Sequence, residues 1–200
     1  MKLEQLLLEE PFRSDPELAQ LLREIHRLRG ALGALSQNKF RRINPFVENL
    51  FDWKDKGAAL FGEGKNISVY DSCSMAGDVE VGENTWIGPY TALDGNGGLK
   101  IGRNCSISSG VNIVTHDSVK HALSGGKMPY EYAPIEIGDF CYIGTNAVIT
   151  KGVKIGHHCV VGAGAVVTRD LPDFSIALGV PARVAGRVKV VGEQIEFEYF

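Results

Sequence analysis

Ile137-Gly138-Asp139-Phe140-Cys141-Tyr142, Ile143-Gly144-Thr145-Asn146-Ala147-Val148, Ile149-Thr150-Lys151-Gly152-Val153-Lys154, Ile155-Gly156-His157-His158-Cys159-Val160 and Val161-Gly162-Ala163-Gly164-Ala165-Val166 are five consecutive hexads, each opening on an aliphatic residue. The same step of six extends both ways. Downstream it reaches Val167. Upstream, beyond a gap, it runs Val69, Met75, Val81, Ile87 and Leu93, slips by two residues, and resumes at Ile101, Ile107 and Ile113. Of these 14 hexads, seven carry Gly directly after the aliphatic, which marks a corner after each apolar position. The slot four residues on is small or β-branched in most, as at Val79, Thr85, Thr91, Val111, Ala147 and Ala165. All four cysteines, Cys73, Cys105, Cys141 and Cys159, fall in that slot, with no C-x-x-C spacing among them. They are expected to be small reduced core residues.

Side chains alternate along a strand, so the slot four after one aliphatic and two before the next faces the same way. Six residues per side close a three-sided coil in about 18 residues, and coils stack at about 4.8 Å. The predicted fold is mainly β: a parallel β-helix of four to five coils over residues 67–171. Residues 1–66 form an N-terminal helical and capping region, and residues 172–200 a C-terminal tail.

Composition removes several function classes. The net charge of -3 offers no electrostatic footprint for nucleic acid. The basic run Lys39-Phe40-Arg41-Arg42 is expected to be a solvated surface. No apolar run reaches the roughly 18 residues a membrane span needs, and Glu4, Glu9 and Glu10 flank Leu6-Leu7-Leu8 too closely for a signal peptide. The expected location is cytoplasmic.

The flanks carry weaker signals. Residues 14–35 read as a helix, capped by Ser14 or Asp15, with Pro16 in the first turn and a Ser14–Glu17 capping box. Leu18, Leu21, Leu22, Ile25, Leu28, Leu32 and Leu35 follow helical spacing. Phe46, Phe51, Trp53 and Phe61 are expected to cover the open end of the coil stack. After Leu171 the coil signal stops at Pro172, and Val188–Val191 with 194–200 reads as a hairpin across Gly192-Glu193.

Beyond the two-residue slip the hexads break once, over the 24-residue step from Ile113 to Ile137. A long excursion in a compact repeat is a place for function, and residues 115–134 are expected to form a lid. At its root stands Val114-Thr115-His116-Asp117. Imidazole, with an ordinary pKa of about 6.5, suits proton abstraction near neutrality. Leu93 and Ile113 are 20 residues apart, one coil plus the slip, so their hexads stack. That register sets Asp94 about 8 Å from His116 between Cα atoms. Asp94 and Asn96 then either bind an acceptor, orient the imidazole, or are ordinary residues of the turn Asp94-Gly95-Asn96-Gly97-Gly98.

The hexads, the Thr115-His116 segment, the loop through Met128 to Pro134-Ile135-Glu136-Ile137-Gly138 and the closing Gly179-Val180-Pro181-Ala182-Arg183 together resemble the hexapeptide-repeat acyltransferase family, in its galactoside and maltose O-acetyltransferase-like branch. The likeness covers about residues 66–187. It implies a left-handed β-helix, a homotrimer with active sites between subunits, and direct transfer of acetyl from acetyl-CoA to a sugar or sugar-containing acceptor, without a metal. Matched motif to motif, His116 takes the general-base role. Thr145, Ala163, Thr168, Arg169 and Arg183 match contacts to acetyl-CoA, with Arg169 where lysine is usual. Tyr142 stands where tryptophan is frequent, as an acceptor-side aromatic. Gly88 stands where the galactoside enzymes carry asparagine, so the acceptor is left open between a saccharide hydroxyl and an amino sugar, nucleotide sugar or antibiotic.

Two other function classes compete with this reading. His116 and His121 are five apart, as in zinc enzymes of the γ-carbonic anhydrase type, but no third histidine lies upstream between His26 and His116. A non-enzymatic trimeric scaffold would leave the loop and the Thr168, Arg169 and Arg183 set without a purpose.

Overall fold

The computed structural model describes residues 3–41, 45, 48, 50 and 52–200. Phe46, Phe51 and Arg42 lie outside the described residues. The chain forms two compact units, Met1–Asp52 and Trp53–Phe200.

In the first unit, α1 spans Leu3–Leu6 and α2 spans Pro16–Phe40. The expected Ser14–Glu17 capping box does not form. Asp15 is the cap, its carboxylate accepting from the backbone N–H groups of Glu17 and Leu18, while Ser14 Oγ turns back to Glu10. A carboxylate at the cap also meets the positive end of the helix dipole, which a hydroxyl does not. The helix runs five residues beyond the expected end at Leu35 and stops where Arg41 adopts φ 51°.

The second unit is a three-sided parallel solenoid. Its first side stacks Ser68–Val69, Trp86–Ile87, Ser106–Ile107, Tyr142–Ile143, Val160–Val161 and Ser175–Leu178. The second side aligns Met75, Leu93, Ile113, Ile149 and Val167, and the third aligns Val81, Ile101, Ile137 and Ile155, with Leu171 bridged to Ile155. The aliphatics form one continuous core, and Ile87, Ile107, Ile113, Ile143 and Ile149 are fully enclosed. Cys105, Cys141 and Cys159 are buried in it. Cys141 lies between the other two in a column; hydrogen bonds with both, and burial, push its thiol up and keep it protonated.

Partners on the first side, Val69, Ile87, Ile107, Ile143, Val161 and Ala177, are 18, 20, 36, 18 and 16 residues apart. A coil of 18 is the rule. The second coil has two extra residues, the third has eighteen, and the fifth lacks two. The missing pair corrects the expectation that coiling ends at Pro172: Ser175–Leu178 starts a sixth coil at a shortened register.

The helix α3, Trp53–Phe61, packs against the first coil. Gly57 allows this, since a Cβ there would stand 1.9 Å from the Ile67 carbonyl oxygen. Trp53 stacks on Tyr70 at 4.0 Å, and Lys56 Nζ donates to the carbonyls of Tyr70 and Asp71 and to the Asp71 carboxylate. At the other end Ser175–Leu178 pairs antiparallel with Arg183–Val191, which pairs with Gln194–Tyr199 as a hairpin.

Candidate active site

The two extra residues of the second coil bulge at the edge between the second and third sides. The ladder shifts there between Gly77 and Val79. Gly95 is required in the bulge, because a Cβ would approach the Asp78 carbonyl oxygen to 2.2 Å. Asp94 opens the bulge and is thereby brought under the root of the excursion one coil later.

Its carboxylate is saturated. Oδ2 accepts from the Thr115 backbone N–H and Thr115 Oγ1, each at 2.8 Å, and from His116 Nδ1 at 2.6 Å. Oδ1 accepts from the Asn96 backbone N–H at 3.1 Å and from Asn96 Nδ2 at 2.6 Å. Burial pushes the Asp94 carboxyl up, but the hydrogen bonds from His116, Asn96 and Thr115 outweigh it and hold it well below the ordinary carboxylate range. An ionised acceptor fixes the proton of the neutral imidazole on Nδ1. Nε2 is then the basic nitrogen. Among the described residues no group bonds it, and the side chain is 33% exposed, against 15% for Asp94.

Thr115 is fully buried and ties three strands of chain together. Besides its bonds to Asp94, its Oγ1 accepts from Gly97 N at 2.9 Å and its carbonyl accepts from Ala133 N at 2.9 Å. The bulge and both ends of the excursion are thus pinned at one residue.

The excursion is structured. His116–Asp117 pairs antiparallel with Glu131–Tyr132, with His116 opposite Tyr132, and α4 spans Val119–Leu123 between them. Lys151, from the next coil, bridges Asp117 at 2.8 Å and Glu131 at 2.7 Å, and Lys120 also contacts Glu131. These cations hold the Asp117 and Glu131 carboxyls below their ordinary range, and the two carboxylates raise Lys151. Tyr130 and Tyr132 place their rings 6.0 and 5.8 Å from the imidazole, the first parallel to it within 5°. Both tyrosines are substantially exposed. His121 is engaged elsewhere: Nδ1 meets the Met128 carbonyl at 2.7 Å and the ring lies edge-on to Tyr130.

The structure brings Asp94, Asn96 and His116 together. It does not bring Tyr142 to them. Tyr142 lies on the outer surface of the first side, because it precedes the inward Ile143. Thr145 and Ala163 lie at the edge between the first and second sides, where Gly164 N donates to the Thr145 carbonyl at 2.8 Å. Thr168 and Arg169 lie at the edge that carries His116, two coils further along, on the order of 10 Å away. Arg183 is exposed, and its Nη1 donates to the Ala182 carbonyl at 2.9 Å. Thr115, Tyr130, Tyr132 and Lys151 join the site without having been expected there. Acid–base complementarity of Asp117 and Glu131 with Lys151 was a readable signal for the last.

No described helix is long and apolar enough to cross a membrane. Residues 134–169 match the family model described as bacterial transferase hexapeptide (six repeats). Galactoside O-acetyltransferase of Escherichia coli (strain K12) is 31% identical, over 60% of this chain and 68% of that protein. AntD, an N-acyltransferase from Bacillus cereus solved with dTDP and 3-hydroxybutyryl-CoA, is 30% identical over 60% of this chain and 68% of that one, with a TM-score of 0.54. A variant of AntD solved with dTDP-4-amino-4,6-dideoxyglucose and coenzyme A is 29% identical over the same shares, with a TM-score of 0.55. The stacked hexad coils and these likenesses identify the chain as a member of the hexapeptide-repeat acyltransferases, enzymes built on a left-handed parallel β-helix.

Proposed function

We propose that the protein transfers an acetyl group from acetyl-CoA directly to a hydroxyl of a sugar-containing acceptor, with His116 as general base. The observation that carries this is the 2.6 Å bond from His116 Nδ1 to an ionised Asp94, with Nε2 left facing solvent. An alcohol is a poor nucleophile until its proton is taken, and this pair supplies the acceptor for that proton. As the hydroxyl oxygen forms the new ester bond to the thioester carbonyl carbon, its proton passes to Nε2. The C–S bond breaks, and the coenzyme A thiolate recovers the proton from the imidazolium. Asp94 stabilises that imidazolium and keeps the ring in one tautomer, as the aspartate of a serine-protease triad does.

The donor residues support a site shared between subunits. Thr145 and Ala163 occupy one edge of the prism, and His116, Thr168 and Arg169 the next, about 16 Å away across one side. The edges of a prism run parallel at that separation, so a thioester bound along one edge meets His116 only where a neighbouring copy supplies that edge. A homotrimer satisfies this three times over. Arg169 and Arg183 would pair with the phosphates of the nucleotide end. The reading carries a cytoplasmic location, where core thiols such as Cys105, Cys141 and Cys159 persist reduced.

A second reading is N-acylation of a nucleotide-linked amino sugar, favoured by the likeness to AntD. Incubation with acetyl-CoA and a panel of free saccharides, polysaccharide fragments and amino sugars, followed by free-thiol release, separates the two. Ester product, labile to mild base, supports the first reading. Base-stable amide on an amino sugar alone replaces it with the second, and silence throughout removes both.

A further inference from the structure

Thr115 carries a hydroxyl that the repeat does not ask for. The corners in register with it hold Gly77 and Gly95 in the coils before and Lys151 and Arg169 in the coils after. A glycine or a long cation therefore turns this corner as well as threonine does. Thr115 is also fully buried, and a hydroxyl out of water costs stability unless its hydrogen bonds are met.

Here they are met, and each proton has one allowed position. Gly97 N–H can only donate, so Thr115 Oγ1 accepts from it at 2.9 Å. The ionised Asp94 can only accept, so Oγ1 directs its own hydrogen to Asp94 Oδ2 at 2.8 Å. The same Oδ2 accepts from His116 Nδ1 at 2.6 Å. A one-way relay thus runs from Gly97 through Thr115 to the oxygen that holds the imidazole. Thr115 supplies two of the three donors on that oxygen, its N–H and its O–H, each at 2.8 Å. Those two donors fix the rotation of the carboxylate, and the carboxylate fixes the ring.

We propose that Thr115 is a positioning residue for acyl transfer: its hydroxyl holds Asp94 Oδ2 against His116 Nδ1 and so aims Nε2 at the acceptor. The inference rests on the reading of His116 as the base. Being fully buried, Thr115 acts through Asp94 alone.

Thr115→Val and Thr115→Ser in the full-length protein separate the hydroxyl from the methyl group. Valine sets a methyl 2.8 Å from Oδ2, inside the roughly 3.3 Å of the closest carbon–oxygen contacts, so the carboxylate is pushed off its seat. Serine keeps the hydroxyl. With acetyl-CoA and an acceptor that releases thiol from the wild type, kcat is expected to fall roughly 10- to 100-fold in the valine variant and to stay within about threefold in the serine variant. The KM for acetyl-CoA should be unchanged in both. A second readout needs no substrate. The Nδ1 proton, held in a short bond to a carboxylate, gives a far-downfield proton NMR resonance, assigned by its absence from His116→Ala. It is expected in the wild type and the serine variant, and to be shifted upfield or lost in the valine variant. Should valine prevent folding, Thr115→Ala, which lacks the hydroxyl and adds no bulk, carries the same expectations. A wild-type rate or an unshifted resonance in the valine variant would overturn the proposal, as would equal loss of rate in valine and serine. If the wild type transfers no acyl group to any acceptor, the proposed function fails by itself, and the resonance still decides whether Thr115 sets the Asp94–His116 bond.

Discussion

Asp94 and His116 are 22 residues apart in sequence and 2.6 Å apart in space, because a coil of 20 residues sets Leu93 directly beside Ile113. In the first coil the position in register with Asp94 is Ala76, whose methyl group cannot accept a hydrogen bond. The pair is a product of register: one insertion makes the bulge, and a second, far longer one makes the lid that roots beside it.

Asp94→Asn tests the role of the charge. The amide keeps the shape and loses the anion, so the imidazole is free to hold its proton on Nε2. Turnover should fall roughly 10²- to 10⁴-fold, with little change in KM for acetyl-CoA. Because its hydrogen bonds depress the Asp94 pKa, the bonded carboxylate stabilises the native state above the ordinary carboxylate range and ceases to do so as pH falls through its lowered value. Steady-state kinetics with circular dichroism at pH 7 checks this; wild-type turnover in the asparagine variant would contradict it.

Lys151→Met tests the clamp on the excursion. Asp117 and Glu131 are depressed, so their contribution is present above about pH 4 and is lost as pH falls through their lowered values. Lys151 is raised, so its contribution is present below about pH 10.5 and is lost only above its raised value. The clamp should therefore hold across neutrality. Hydrogen exchange at pH 7 should show faster exchange over 116–132 in the variant, with the coils at Ile107 and Ile143 unchanged.

Tyr130→Ala and Tyr132→Ala test the aromatic wall beside the imidazole. Apolar faces of a pyranose ring pack well on exposed aromatic rings. Each change should raise the acceptor KM several-fold and leave the KM for acetyl-CoA near its original value. An effect confined to the donor would place the tyrosines on the wrong side of the site.

Much of this was legible beforehand, and for a physical reason. The core of a solenoid repeats, so Ile143, Ile149 and Ile155 announce their sides by spacing alone. The 20-residue interval from Leu93 to Ile113 already stacked Asp94 near His116. What hexads cannot carry is anything that depends on breaking them. Tyr132 reaches the imidazole only because the excursion folds back as an antiparallel pair. Ser175–Leu178 joins the first side only because its coil is two residues short. The place of Tyr142 on the outer face of the first side follows from counting sixes from Ile137. At α2, both Ser14 and Asp15 were competent caps, and the competing bond from Ser14 to Glu10 left the position to Asp15.

The most direct measurement is the turnover of His116→Ala with acetyl-CoA and whichever acceptor releases thiol from the wild type. His116 contributes nothing to the buried core, so the thermal transition should stay within a few degrees of wild type while kcat falls by roughly 10³-fold or more. A folded variant turning over within tenfold of the wild-type rate would contradict the assignment of His116 as the base.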